Sequence, residues 1–81
     1  MLITPQGKIF EEEIESLIVP GTLGQAGILA HHAPMVMSLK AGFLILKGPK
    51  GPKQFKIGEG ILEVNPQHEG LVLVDSASAV P

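Results

Sequence analysis

Apolar residues fall in short runs along this chain: MLIT (1–4), SLIV (16–19), GILA (27–30), MVMSL (35–39), FLIL (43–46), KQFKI (53–57), ILEV (61–64) and LVLV (71–74). Polar stretches rich in glycine and proline separate them, among them PQG, PGTLG, HHAP, KAG, KGPKGPK, GEG and NPQHEG. Short runs bounded by turn formers are the pattern of strands in a β-sandwich or barrel. No stretch keeps a 3.6-residue apolar period over the roughly twelve residues that a stable helix needs. The pattern predicts an all-β fold, with residues 1–81 as one domain.

A strand turns successive side chains to opposite faces, so a half-exposed strand alternates apolar and polar residues. In KQFKI, Phe55 and Ile57 share one face while Gln54 and Lys56 share the other. In MVMSL, Met35, Met37 and Leu39 oppose Val36 and Ser38. FLIL and LVLV are apolar on both faces. A domain this small has one core, so the outward side chains of these two runs lie either under a loop or against another protein. Full burial of each is worth about 1.5–3 kcal/mol, enough for a few together to make a docking surface.

Composition narrows the function classes. A net charge of −2, with six lysines and no arginine, is a poor match for a nucleic-acid binder, which carries a basic, arginine-rich surface. The absence of cysteine excludes disulfide staples and zinc–thiolate sites. With 44% of residues hydrophobic the chain can build a core, so it does not read as disordered. Met1 leads straight into LIT with no basic n-region or long apolar segment, so no secretory signal is expected. No apolar run is long enough for a bilayer-spanning helix.

Several residues invite a chemical reading. His31 and His32 are adjacent, and neighbours on an extended chain point to opposite faces, so they are ill placed to share one metal ion. His68 lies in another turn and could join one of them, but no cysteine completes the set. A turn or contact role suits both better. Gly21, Gly24 and Gly27 resemble a phosphate loop but open onto no helix and carry no lysine, so they read as turn glycines. The run Glu11, Glu12, Glu13 and Glu15 reads as a solvated segment rather than a catalytic carboxylate pair. GPKGPK (48–53) reads as a polar hairpin tip whose prolines prevent ladder pairing, made basic by Lys47, Lys50, Lys53 and Lys56. Its alternative role is contact with an acidic surface or lipid headgroups. Lys40, in SLKAGF, is the candidate attachment site of a lipoyl- or biotinyl-type carrier domain, although its flanks Leu39 and Ala41 fit that motif poorly.

Taken in order, six segments carry a resemblance: Thr4-Pro5-Gln6-Gly7, Val19-Pro20-Gly21, Gly24-Gln25-Ala26-Gly27-Ile28-Leu29 with His32-Ala33-Pro34, Leu39-Lys40-Ala41-Gly42, Gly60-Ile61-Leu62-Glu63-Val64, and Val72-Leu73-Val74-Asp75-Ser76-Ala77. Together they resemble the N-terminal domain of the epsilon subunit of F-type ATP synthases over essentially the whole chain. The resemblance implies a flattened sandwich of two sheets with about ten short strands. It also implies a non-catalytic part of the central stalk, linking the gamma subunit to the c-ring so that proton flow is coupled to ATP synthesis. Thr4, His32 and Met37 match gamma-facing positions, and Thr22, Leu23, Gly24 and Gln25 match the turn that faces the c-ring.

The same resemblance implies no cofactor, no nucleic-acid partner, and membrane association only through the complex. It places the subunit on the cytoplasmic face of a bacterial inner membrane, or on the equivalent side of an organelle membrane. Relatives often carry glycine where this chain has His31, glutamate near Leu23 and Gln25, and proline where it has Ala41. Family members usually continue into a two-helix hairpin that these residues cannot form, so no inhibitory extension and no nucleotide site are expected on this chain.

Overall fold

Each apolar run becomes a strand, and two further strands form where the sequence is less apolar. The computed structural model describes residues 1–29, 33–67 and 69–81. In chain order the strands are β1 (Leu2–Thr4), β2 (Gly7–Phe10), β3 (Ser16–Gly21), β4 (Gly24–Leu29), β5 (Met35–Leu39), β6 (Gly42–Gly48), β7 (Gly51–Ile57), β8 (Gly60–Val64), β9 (Gly70–Val74) and β10 (Ala77–Val80). There is no helix among the described residues. One layer runs β5-β8-β9-β1-β2 and the other β4-β3-β6-β7-β10; they join into a single, nearly closed ten-stranded sheet. The all-β sandwich expected from the sequence is therefore present in barrel-like form.

β3 makes the join. Its first half pairs with β6, from Ser16↔Lys47 to Ile18↔Ile45, and its last residue pairs with β5 at Gly21↔Leu39. Pro20 has no N–H to give a ladder, but its carbonyl accepts a hydrogen bond from the Lys40 N–H at 2.8 Å, and Thr22 N–H donates to Ser38 at 3.1 Å. The β5–β6 connection thus follows β3 from one layer into the other. β5 and β6 do not pair with each other. The segment Leu39–Gly42 is consequently a crossover between layers.

Alternation decides the core. Leu2, Leu39, Leu62, Val64, Val72 and Val74 from one layer meet Leu17, Val19, Ile28, Leu44, Leu46, Phe55 and Ile57 from the other. Met35 and Met37 pack against this cluster as MVMSL predicts, with Val36 and Ser38 outside. Gly60 is required where β8 crosses β9, because a Cβ there would run into the Leu73 carbonyl and the Val74 backbone.

The strand β7 runs through Pro52, contrary to the expectation that this proline would stop pairing. Gly48↔Gly51 closes the hairpin, so at the next pair, Lys47↔Pro52, the backbone groups of Pro52 point away from β6. β10 reaches only from Ile57 to Gln54. The missing N–H therefore lies on an open edge, where proline is tolerated.

Candidate protein-docking site

The β3–β4 hairpin brings Thr22, Leu23, Gly24 and Gln25 together at one exposed tip. Gly21↔Gly24 closes a two-residue turn, and Gly24 holds φ at 129°, a conformation that L side chains rarely adopt. Leu23 stands at the apex with 103% relative exposure. Water solvates its whole isobutyl group, although burial against a partner would be worth about 1.5–3 kcal/mol. No charged residue lies between Gly21 and Leu29. An uncharged hairpin with a bare leucine at its apex is suited to apolar contact.

The residues expected on the gamma-facing side are not gathered in the same way. Thr4 is buried in the β1–β2 turn; its Oγ1 donates to Gln6 Oε1 at 3.0 Å and accepts the Gln6 N–H at 3.1 Å. Met37 is half-buried on β5, opposite Leu62, with its sulfur beneath Gly21. His32 lies outside the described residues, as do His31 and His68, so the metal reading of the three histidines falls there too.

The outer faces supply what those positions do not. In FLIL, Leu44 and Leu46 are buried while Phe43 is 51% exposed; in LVLV, Val72 and Val74 are buried while Leu73 is 37% exposed. Pairing sets Ser38, Ile61, Leu73 and Ile3 side by side across β5, β8, β9 and β1. Val36 and Leu71 lie one outward rung away, flanking Glu63. The other layer shows Phe43 and Ile45 outward, beside Lys56, Gln54 and Ile18. An apolar patch thus lies on each broad face, among polar neighbours. Ile61 and Val36 escaped the sequence reading because their neighbours come from strand order, which no local pattern encodes.

Charge collects at the other end of β3. Lys8 Nζ lies 2.6 Å from Glu11, and Lys53 Nζ lies 2.8 Å from Glu12 and 5.1 Å from the Phe10 ring centroid. Hydrogen bonds from these lysines hold the Glu11 and Glu12 carboxyls below their ordinary values, with the lysine charges adding to the effect. The acidic run is therefore partly paired, and the basic hairpin tip partly neutralised. Beyond these pairs lies a groove of about 640 Å³ with an apolar floor that includes Ile14, Leu17, Ile28 and Val64. Glu13, Glu15, Glu63 and Glu69 stand around it with no lysine in its lining. The Met1 ammonium sits at one side and donates to the Gly70 carbonyl at 2.7 Å; burial holds its pKa below the ordinary value, against the pull of Glu11 and Glu69.

Lys40 is exposed, but it sits in the layer crossover with its N–H given to Pro20, not on a hairpin tip where a prosthetic arm would be displayed. Among the described residues no three His, Cys, Asp or Glu side chains gather as metal ligands. Among these residues no helix is long and apolar enough to cross a membrane.

Comparison with known proteins gives this surface its context. The chain is similar to the ATP synthase epsilon chain of Synechocystis sp., 37% identical over 76 residues covering 94% of this chain and 55% of the relative. It is 40% identical to the ATP synthase epsilon chain of Desulforamulus reducens over 78 residues, covering 94% of this chain and 57% of the relative. The chain thus spans about half the length of these curated relatives. Its fold matches a chain in the cryo-EM structure of Euglena gracilis mitochondrial ATP synthase (OSCP/F1/c-ring), with a TM-score of 0.84 at 22% identity, covering 96% of this chain and 51% of that one. A second match is to the Tetrahymena thermophila mitochondrial ATP synthase central stalk and c-ring, with a TM-score of 0.78 at 15% identity, covering 95% and 62%. The family model of the ATP synthase delta/epsilon chain beta-sandwich domain matches residues 1–80, and the chain belongs to that family.

Proposed function

We propose that this chain is a rotor unit of a proton-translocating F-type ATP synthase, binding the gamma subunit and the c-ring in the central stalk. It performs no catalysis. Its work is mechanical: a sandwich with a packed core moves as one body, so torque from the ring passes to gamma without being lost in bending. The unit is peripheral, held at the cytoplasmic face of a bacterial inner membrane, or its organelle equivalent, through its partners. The observation that carries the reading is the apolar surface left outside a complete core: Leu23 at the tip, and Val36, Ile61, Leu73 and Phe43 on the broad faces.

In this reading Thr22, Leu23, Gly24 and Gln25 meet the c-ring, and Thr4, His32 and Met37 mark the gamma side. Thr4 acts there by fixing the β1–β2 turn, and Met37 by supporting Val36 and Ser38 from beneath. Capture of purified gamma subunit by the immobilised chain tests the reading, with Val36→Asp and Met37→Gln expected to weaken capture and Leu23→Ser to spare it. No capture of gamma at about micromolar concentration, where specific complexes of modest affinity form, would overturn it.

A further inference from the structure

Among the described residues three strands end the ladders of this sheet, and two of them are blunted. β2 has four residues, includes Lys8, and pairs with β1 through a register shift between Leu2 and Ile3. β10 has four residues and is followed at once by Pro81. Charge, bulges, brevity and proline are the usual means of keeping an edge from recruiting another strand. β4 has none of them: it is six residues long, uncharged, without proline, and in unbroken register with β3 from Gly24 to Leu29.

The register also fixes which of its backbone groups are open. Pro20 and Thr22 bond to β5, so Gly21 turns its own groups to Gly24 across the hairpin. Alternation along an antiparallel pair then directs the N–H and C=O of Gln25, Gly27 and Leu29 away from β3. These six groups have no protein partner among the described residues. At its Leu29 end the strand opens onto the glutamate-rimmed groove, where Leu29 is 72% exposed.

We infer that β4 is a strand-addition site, and that its occupant is an extended segment of the gamma subunit with a lysine or arginine placed beside Leu29. The segment pairs with Gln25, Gly27 and Leu29 and sets its cation among Glu13, Glu15 and Glu63. Charge argues against a second copy of this chain. A two-fold axis through Gly27 would bring the uncharged hairpin tip beside Leu29, leaving the glutamates without a counter-charge. The inference rests on the proposed stalk function and specifies how one partner is held.

Amide hydrogen exchange of the full 81-residue chain, alone and with purified gamma subunit, tests it, together with dissociation constants for three variants. Gamma should slow exchange at Gln25, Gly27 and Leu29 at least tenfold. Gly27→Pro, which removes one outward N–H and none of the β3 ladder, should weaken gamma binding at least tenfold. The double change Glu15→Gln with Glu63→Gln lies on exposed side chains; it should weaken binding several-fold and flatten its salt dependence. Leu23→Ser should leave gamma binding unchanged. Tight gamma binding with unaltered exchange at the three amides would overturn the strand-addition site alone. Protection of those amides in the isolated chain, rising with its concentration as a dimer forms, would overturn the choice of occupant. Failure of gamma to bind the unaltered chain would overturn the stalk reading and this inference with it.

Discussion

The two ends of β3 solve the same problem in opposite ways. At the Gly21 end the chain turns through Thr22 and Leu23 with no charged side chain and leaves a leucine wholly in water. At the Ser16 end the loops carry the glutamates and hairpin lysines, and much of that charge is matched within the molecule: Lys8 with Glu11, Lys53 and Lys50 with Glu12. One end holds apolar surface that only another molecule can cover. The other is largely content in water, its unmatched charge being Lys47 and the glutamates around the groove. Both rest on one core, so the contrast lies in the loops and not in the scaffold.

The strongest way to break the contrast is to remove the scaffold beneath both ends. Leu62 is fully buried, and Leu62→Ala should cost about 2–5 kcal/mol, seen as a lower urea midpoint with both ends unfolding in one transition. A change confined to the hairpin end is smaller. Gly24→Val places a β-branched residue at a φ of 129°, costing about 1–3 kcal/mol, with amide exchange quickened first around the tip.

Acid probes the charged end. Glu11 and Glu12 have carboxyl pKa values depressed in the folded state, so their pairs stabilise it above the unfolded carboxylate value of about 4.3. That contribution is lost as pH falls through the folded values. Urea midpoints should therefore drop across this acid range, and Lys53→Met should shrink the drop. Because both carboxylates are exposed, the effect is small beside the core change. Least of all, Leu23→Ser should alter stability by no more than about 0.5 kcal/mol while abolishing c-ring binding measured with reconstituted rings.

Strand existence was legible wherever the apolar runs were dense. MVMSL and KQFKI gave their inward faces correctly, because alternation with period two is a property of the strand itself. Even the doubly apolar FLIL and LVLV resolve as their pattern requires, half into the core and half outward. β2 and β10 escaped because GKIF and ASAV are sparse edge sequences held by a single neighbour each. The crossover at Lys40 escaped because a short loop reads the same whether it returns to its own neighbour or changes layer. The tip was legible as a turn, and its bare leucine stands in the sequence. The groove and the open edge were not, since both depend on which strands meet.

β1 pairs in parallel with β9, Leu2 beside Val72. The first strand of this fold thus waits for the ninth before it joins the larger sheet. Until then the layer that begins β5-β8-β9 lacks its final two strands. Pairings so distant in sequence slow closure, because loop entropy must be lost before any contact rewards it. The domain can gather β3 to β8 early, but it becomes whole only when β1 meets β9.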